Sequence, residues 1–293
     1  MNFLALMIGL AVERLLTHLF HLREFNWLNP LFDAVFARLD KLGRAGSVVV
    51  TVLLVILLTA PVAAAELALA DRLVYVPVFV FSVVVLLFCL GPRDLVEEVD
   101  DYRAAIEADD REEIAELATQ LLEREPEPGE TPDIEGAVYA QANNRIFGVV
   151  FWFVVLGATG AWVFRVLDLL RRRAIHRTGI VALADAPAYL QAILQLHYLL
   201  AWIPARLLLV GYTLAGNYDT AMPAWRSYRP PADKVFPGDD DLLLGAVGSA
   251  AASHREQSGV SGRARVAVSL VTRTLWMIWC PALALLTLYD WIG

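Results

Sequence analysis

An all-α, polytopic membrane protein with short helical insertions on the cytoplasmic side is the fold class that this sequence predicts. Three observations carry the prediction. Of 293 residues, 58% are hydrophobic and 19% charged, whereas a soluble domain averages about 45–50% apolar and about 25% charged. The apolar residues are collected into runs near the roughly 20 that a helix needs to cross a hydrocarbon core. The acidic residues are concentrated in one stretch instead of being spread over a surface. Plentiful aromatic and branched residues exclude a disordered chain. The net charge of −8 argues against a nucleic-acid partner. The two cysteines, Cys89 and Cys280, lie inside apolar runs and read as small core side chains, not as a disulfide framework.

Taken in order, Phe3–Leu22 is apolar but carries Glu13, Arg14, His18 and His21. It reads as a span facing protein or as an interfacial helix. It lacks a basic start and its apolar stretch is broken early, so it is not expected to be a cleaved signal. Ser47–Ala65 and Val74–Leu90 carry no charge, and Ile146–Leu167 carries one arginine. Ser269–Ile292 has Arg273 and Asp290 near its ends, where charges can reach the headgroups. Tyr189–Leu214 holds His197 and Arg206 and is as ambiguous as the first segment. Four spans are therefore expected, and six if both ambiguous segments cross.

Basic residues orient the spans. Arg23, Arg38, Lys41 and Arg44 place residues 23–46 in the cytoplasm, Glu66–Leu73 outside and 91–145 inside again. Simple alternation then puts Arg171, Arg172, Arg173 and Arg177 outside, against the same rule. A bend or re-entrant path at Gly157-Ala158-Thr159-Gly160 would resolve the conflict, because small residues permit a broken helix. The same small residues would equally permit self-association into a homo-oligomer.

Three parts follow: residues 1–92 as an N-terminal membrane part, 93–136 as an acidic soluble helical hairpin, and 137–293 as a C-terminal membrane part with a basic loop at 171–188 and a soluble loop at 216–268. Residues 93–135 hold 17 acidic residues against four arginines. Val99, Tyr102 and Ile106, then Ile114, Leu117 and Leu121, recur at helical spacing, and the proline-rich 125–132 stretch breaks the second helix. The hairpin reads as a solvated pair packed beside the membrane, or as a docking surface for a basic protein partner. Asp239-Asp240-Asp241 before Leu242 suggests a helix start with acids at its N-terminus, and His254–Gly262 reads as a loop.

Charges inside apolar runs are the candidate site, because each costs about 2.5–3.5 kcal/mol near a helix centre and must pair or line a polar hollow. Glu13 and Arg14 point about 100° apart and need partners from other helices. Arg165 and Asp168 have the spacing of a same-face salt bridge. Pro204 removes a helix hydrogen bond half a turn before Arg206, whose guanidinium could hold a carboxylate or phosphate, or pair with Asp168 or Glu13. Asn143, Asn144 and Arg145 enter a span either as caps or as ligand contacts. Glu13, Arg14, Arg165, Asp168 and Arg206 are expected to converge into one buried cluster around a small polar or anionic ligand, with the bilayer as the surrounding partner.

In order along the chain, Glu13-Arg14-Leu15, Asn143 to Trp152, Arg165 with Asp168, Trp202-Ile203-Pro204-Ala205-Arg206-Leu207 and Gly216 through Ala221-Met222-Pro223-Ala224-Trp225 resemble the AmpE family over most of the sequence. That family is similar to the wider CobD/CbiB group of cobalamin assembly, in which Arg165 and Asp168 would fall on an "R…TLD" pattern and Pro204–Leu207 on "PARL". The chain departs from that group where Gln141-Ala142-Asn143-Asn144-Arg145 stands in place of a Glu-Asn-x-x-Asp pattern, and where Gln195, His197 and Tyr198 stand near a missing aspartate pair. The resemblance implies a multi-pass protein of the bacterial inner membrane, a regulatory or sensory role in β-lactamase induction, antibiotic resistance and cell-wall recycling, no catalytic residues, no metal and no cofactor. The wider group implies the alternative of an Mg-ATP-dependent amide-forming enzyme acting on a carboxylate-bearing substrate.

Overall fold

The computed structural model describes residues 25–70, 76–90, 94–124, 126, 131–179, 186–229, 240–252 and 259–285. Glu13, Arg14 and the whole Phe3–Leu22 segment lie outside them. All regular elements among the described residues are helices. In chain order they are α1 (Asn29–Leu39), α2 (Arg44–Ala70), α3 (Val76–Cys89), α4 (Leu95–Glu107), α5 (Arg111–Leu122), α6 (Ile134–Ala142), α7 (Gly148–Thr178), α8 (Ala188–Ala215), α9 (Tyr218–Ser227), α10 (Asp241–Ala252) and α11 (Val260–Arg273). Two π-helical turns, Asn143–Phe147 and Thr274–Trp279, join α6 to α7 and extend α11. They meet each other, with the Phe147 and Trp279 rings 5.1 Å apart.

Among the described residues, four stretches are long and apolar enough to cross a membrane: Arg44–Leu69, Ile134–Thr178, Ala188–Ala215 and Val260–Leu285. The ambiguous Tyr189–Leu214 run is thus long enough. The expected span at Val74–Leu90 is instead a helix of 14 residues, about 21 Å, shorter than a bilayer core.

The Ile134–Thr178 stretch is not one rod. α7 breaks at Gly157, whose φ of 69° and ψ of −156° belong to a region essentially restricted to glycine. Beyond the break the chain doubles back. A Cβ on Gly148 would overlap the Phe164 ring, although a straight helix would separate these residues by about 24 Å. Arg172 Nη2 likewise reaches Gln141 Oε1 at 3.4 Å. Residues 134–156 and 158–178 are therefore the two arms of a helical hairpin, each about 30–35 Å long.

Glu66 of α2 holds the tip. Its carboxylate accepts from the backbone amides of Ala158 (3.1 Å) and Thr159 (2.9 Å) and from Thr159 Oγ1 (2.5 Å), so it caps the first turn of the second arm. The re-entrant path returns the basic run to the side on which α1 lies, where Arg173 pairs with Asp33 and Arg177 with Asp40 at 3.3 Å. The conflict between alternation and arginine placement disappears. Arg171–Thr178, expected as part of a loop, is the end of the second arm. Gly160 packs against Trp152 O across the hairpin, so the small residues are taken up within the chain.

The acidic stretch forms α4 and α5. Asp94 and Asp110 cap them by accepting from Val96 N, and from Glu112 N and Glu113 N. The two helical stripes face inward, burying Val99, Tyr102, Leu117 and Leu121. Residues 216–268 are not simply a soluble loop: their described part contains α9, α10 and most of α11, and Val260–Gly262 already belongs to α11. α10 packs closely on α6, with Gly248 against the Tyr139 ring and Gly245 against Gly136. α8 crosses the hairpin: Tyr189 stacks on Phe36, Leu200 O accepts from Trp152 Nε1, and Tyr212 packs on Tyr139.

Candidate functional site

Asp168 is the centre of the buried charge. It lies on the second arm with no exposed surface and receives three arginines from the same helix: Arg165 Nη1 at 3.1 Å, Arg171 Nη2 at 2.9 Å and Arg172 Nε at 2.8 Å. Spacings of three and four place all three on its side of the helix. His197 of α8 approaches the same carboxylate, with Nε2 3.7 Å from Oδ1. The network continues into the acidic hairpin. Glu123, just after α5, binds Arg171 at 2.6 Å and Arg172 at 2.9 Å. Arg145, in the π turn, binds both oxygens of Glu98 at 2.7 Å and Gln141 Oε1 at 2.7 Å, and Gln141 also receives Arg172.

Burial works against the Glu123 charge, but the Arg171 and Arg172 guanidiniums outweigh it and hold the carboxyl below its ordinary value of 4.5. Glu123 also has a left-handed backbone (φ 57°, ψ 18°) that is uncommon for a residue with a side chain.

Beside this network lies a cavity of about 280 Å³, walled by the end of α5, by α6 and the π turn, by the second arm, by α8 and by the start of α10. Its polar lining includes Glu123, Asn143, Asn144, Arg171, His197 and Asp241, with Arg124, Asp133, Gln141, Tyr198 and Asp240 also on the wall, and Leu121, Ile175, Leu194 and Leu242 are among its apolar residues. Asn144 Nδ2 donates to Asp241 at 3.4 Å. Asn143 Oδ1 and His197 Nε2 are buried without a hydrogen-bond partner.

Of the expected site residues, Arg165 and Asp168 are together as the spacing predicts. Arg145 joins them through Gln141 and Arg172. Asn143 and Asn144 make no side-chain cap; they line the cavity, because the π turn directs them away from the helix terminus. Arg206 does not join the Asp168 cluster. It pairs with Asp240 at 2.8 Å, is stacked over Trp202 and is about one-third exposed. The expected convergence of Arg206 with Arg165 is thus replaced by two separate ion pairs, with Asp240, which lines the cavity, as the link. Pro204 is buried within α8 and does not line the cavity. Glu13 and Arg14 lie outside the described residues.

Sequence reading missed Glu98, Glu123, Gln141, Arg171, Arg172 and His197 as members. The arginines read as topological anchors and the glutamates as part of a solvated face. The one available signal was the run of three arginines starting three residues after Asp168.

A profile of the AmpE family, described as regulatory signalling modulator proteins, matches residues 1–292. The chain belongs to the AmpE family. Two curated relatives are named cobalamin biosynthesis protein CobD. One, from Chromobacterium violaceum, is 27% identical over 214 residues, 68% of this chain and 64% of the relative. The other, from Stutzerimonas stutzeri, is 27% identical over 184 residues, 60% of this chain and 59% of the relative. The chain spans less than two thirds of the length of either. No solved structure matches it. With four apolar stretches of spanning length, this AmpE-family chain is a multi-pass membrane protein.

Glu98, Glu123 and Asp168 of this AmpE-family chain are each engaged by arginines, and among the described residues no group of three His, Cys, Asp or Glu side chains is placed to hold a metal.

Proposed function

We propose that this chain is a non-enzymatic regulator of the bacterial inner membrane that senses a small polar or anionic molecule in the α5–α6–α8–α10 cavity. It would report occupancy through the acidic hairpin, as a component of β-lactamase induction coupled to cell-wall recycling. The observation that supports this most is the placement of the cavity. It abuts a network in which the buried carboxylates are bound by arginines, and that network ties soluble α4 and α5 to the membrane hairpin. Such an arrangement suits a two-state coupling element better than acid–base chemistry, because a regulator needs a contact that one ligand can bias.

The test is complementation in a strain whose β-lactamase is inducible and whose own copy is deleted. Wild-type chain is expected to restore normal induction, whereas Arg171→Met and Asp168→Asn, present in the membrane at equal level, do not. Full restoration by both variants would remove the reading. Magnesium-dependent nucleotide hydrolysis by the purified chain would replace it with the amide-forming alternative.

A further inference from the structure

Resting on that regulatory reading, we infer that the cavity takes a small oxyanion with an apolar flank, and that this anion replaces Glu123 on Arg171 and Arg172 and so releases α5.

Glu123 has the geometry of a latch. It closes α5 in a left-handed conformation, and its carboxylate is divided between Arg171 and Arg172. Both Glu123 and Arg171 line the cavity, so an entering anion meets the guanidinium directly. Arg171 spends Nε and Nη2 on Asp168 and Glu123, which leaves Nη1 to receive the newcomer first.

The charge balance selects the ligand. Four arginines (145, 165, 171 and 172) face three carboxylates (Glu98, Glu123 and Asp168) in this network. Guanidiniums do not give up their protons, and stripping a counter-charge from a buried cation is strongly unfavourable. While Glu123 is ionised it therefore leaves when another anion takes its place, and a neutral molecule supplies no replacement charge. Asn143 Oδ1, buried without a partner, can accept from a hydroxyl or N–H beside the anion, while Leu121, Ile175, Leu194 and Leu242 accommodate the apolar flank. Arg145–Glu98 is untouched by the exchange, so α4 stays docked while α5 loosens.

Hydrogen exchange on the full chain in lipid nanodiscs tests this, with hexanoate as probe and hexanamide, its uncharged counterpart, as control. Hexanoate is expected to speed exchange in α5 about tenfold and to leave α4 and α11 unchanged; hexanamide leaves all three unchanged. Glu123→Gln is expected to start with fast α5 exchange and to show no further response, and Glu123→Asp to retain part of the response. An equal effect of hexanamide, an α5 that hexanoate leaves unchanged or slows, or a protected α5 in Glu123→Gln overturns the inference. Should Glu123→Gln lose protection throughout, the wild-type comparison of the two probes decides alone. A lost hexanoate response with the induction defects of Arg171→Met and Asp168→Asn intact removes anion exchange and leaves the regulatory reading. The reverse outcome removes the regulatory reading and leaves the anion site.

Discussion

Arg145 illustrates how a single side chain acquires its role from its surroundings. Its charge is buried at the junction of the π turn and α4, and it is stabilised because Glu98 and Gln141 satisfy it at 2.7 Å. Removing one partner leaves the other charge buried and alone. Arg145→Met is expected to destabilise the protein by about 3–5 kcal/mol, whereas the double change with Glu98→Leu recovers most of that loss. Denaturant titration in detergent, following Trp fluorescence, distinguishes the two. A double variant no better than the single one would show that the pair does not act as a unit. Glu66 carries the opposite lesson: one carboxylate far along α2 supplies acceptors to three donors at the hairpin tip. Glu66→Leu should cost about 3 kcal/mol on the same measurement, the low end for three donors at about 1–3 kcal/mol each, because all three are only partly buried.

Among the elements, the hairpin built from α6, the π turn and α7 decides most. Its turn depends on a conformation that a Cβ disfavours, and the Cβ of an alanine at 157 would overlap Glu66 Oε1. Gly157→Ala is therefore expected to lose more than the about 1–3 kcal/mol of backbone strain alone, read as a fall in the temperature of unfolding. The docking of α5 depends on pH through Glu123. Its carboxyl is held below the ordinary 4.5 in the folded protein, so its ion pairs contribute fully above the unfolded value. That contribution is lost as pH falls through the lower folded value. Pepsin cleavage within α5 should be absent above about pH 4.5 and appear below the folded value. In Glu123→Gln it should no longer vary with pH over that range. A wild-type cleavage profile that stays flat into strong acid would contradict the assignment.

For the whole molecule, the re-entrant path sets sidedness. Because Arg173 contacts Asp33 and Arg177 contacts Asp40, reporter fusions after residue 178 are expected to read the same side as fusions after residue 41 or 110. Opposite readings after 41 and 178 would mean that Ile134–Thr178 crosses as one rod. Much of this architecture was legible in the chain. The uncharged run Ser47–Ala65 marked α2, the run Ile146–Leu167 with its single arginine marked part of α7, the spaced apolar residues of 93–135 marked α4 and α5, and the clash between alternation and the arginine run raised a break at Gly157–Gly160 as one resolution. The site was only half legible. Arg165 and Asp168 are neighbours on one helix, so their spacing sufficed. Glu98 and Glu123 lie among 17 acids, and nothing local separates the two that are buried from those that face water. Arg206 meets Asp240 instead of Asp168, because an ion pair across 34 residues is set by packing, not periodicity.

The amino-acid order alone pointed to what depends on composition and local repeat: membrane residence, helical class, the paired acidic helices and the small residues near Gly157 at which a break was one alternative. These follow from transfer free energy and backbone sterics, which act residue by residue. Which acid meets which arginine was decided only when the hairpin folded back and brought α5, the π turn, α8 and α10 around one hollow. Electrostatic pairing in a low-dielectric interior depends on distance in space, and that distance is a property of the packed chain.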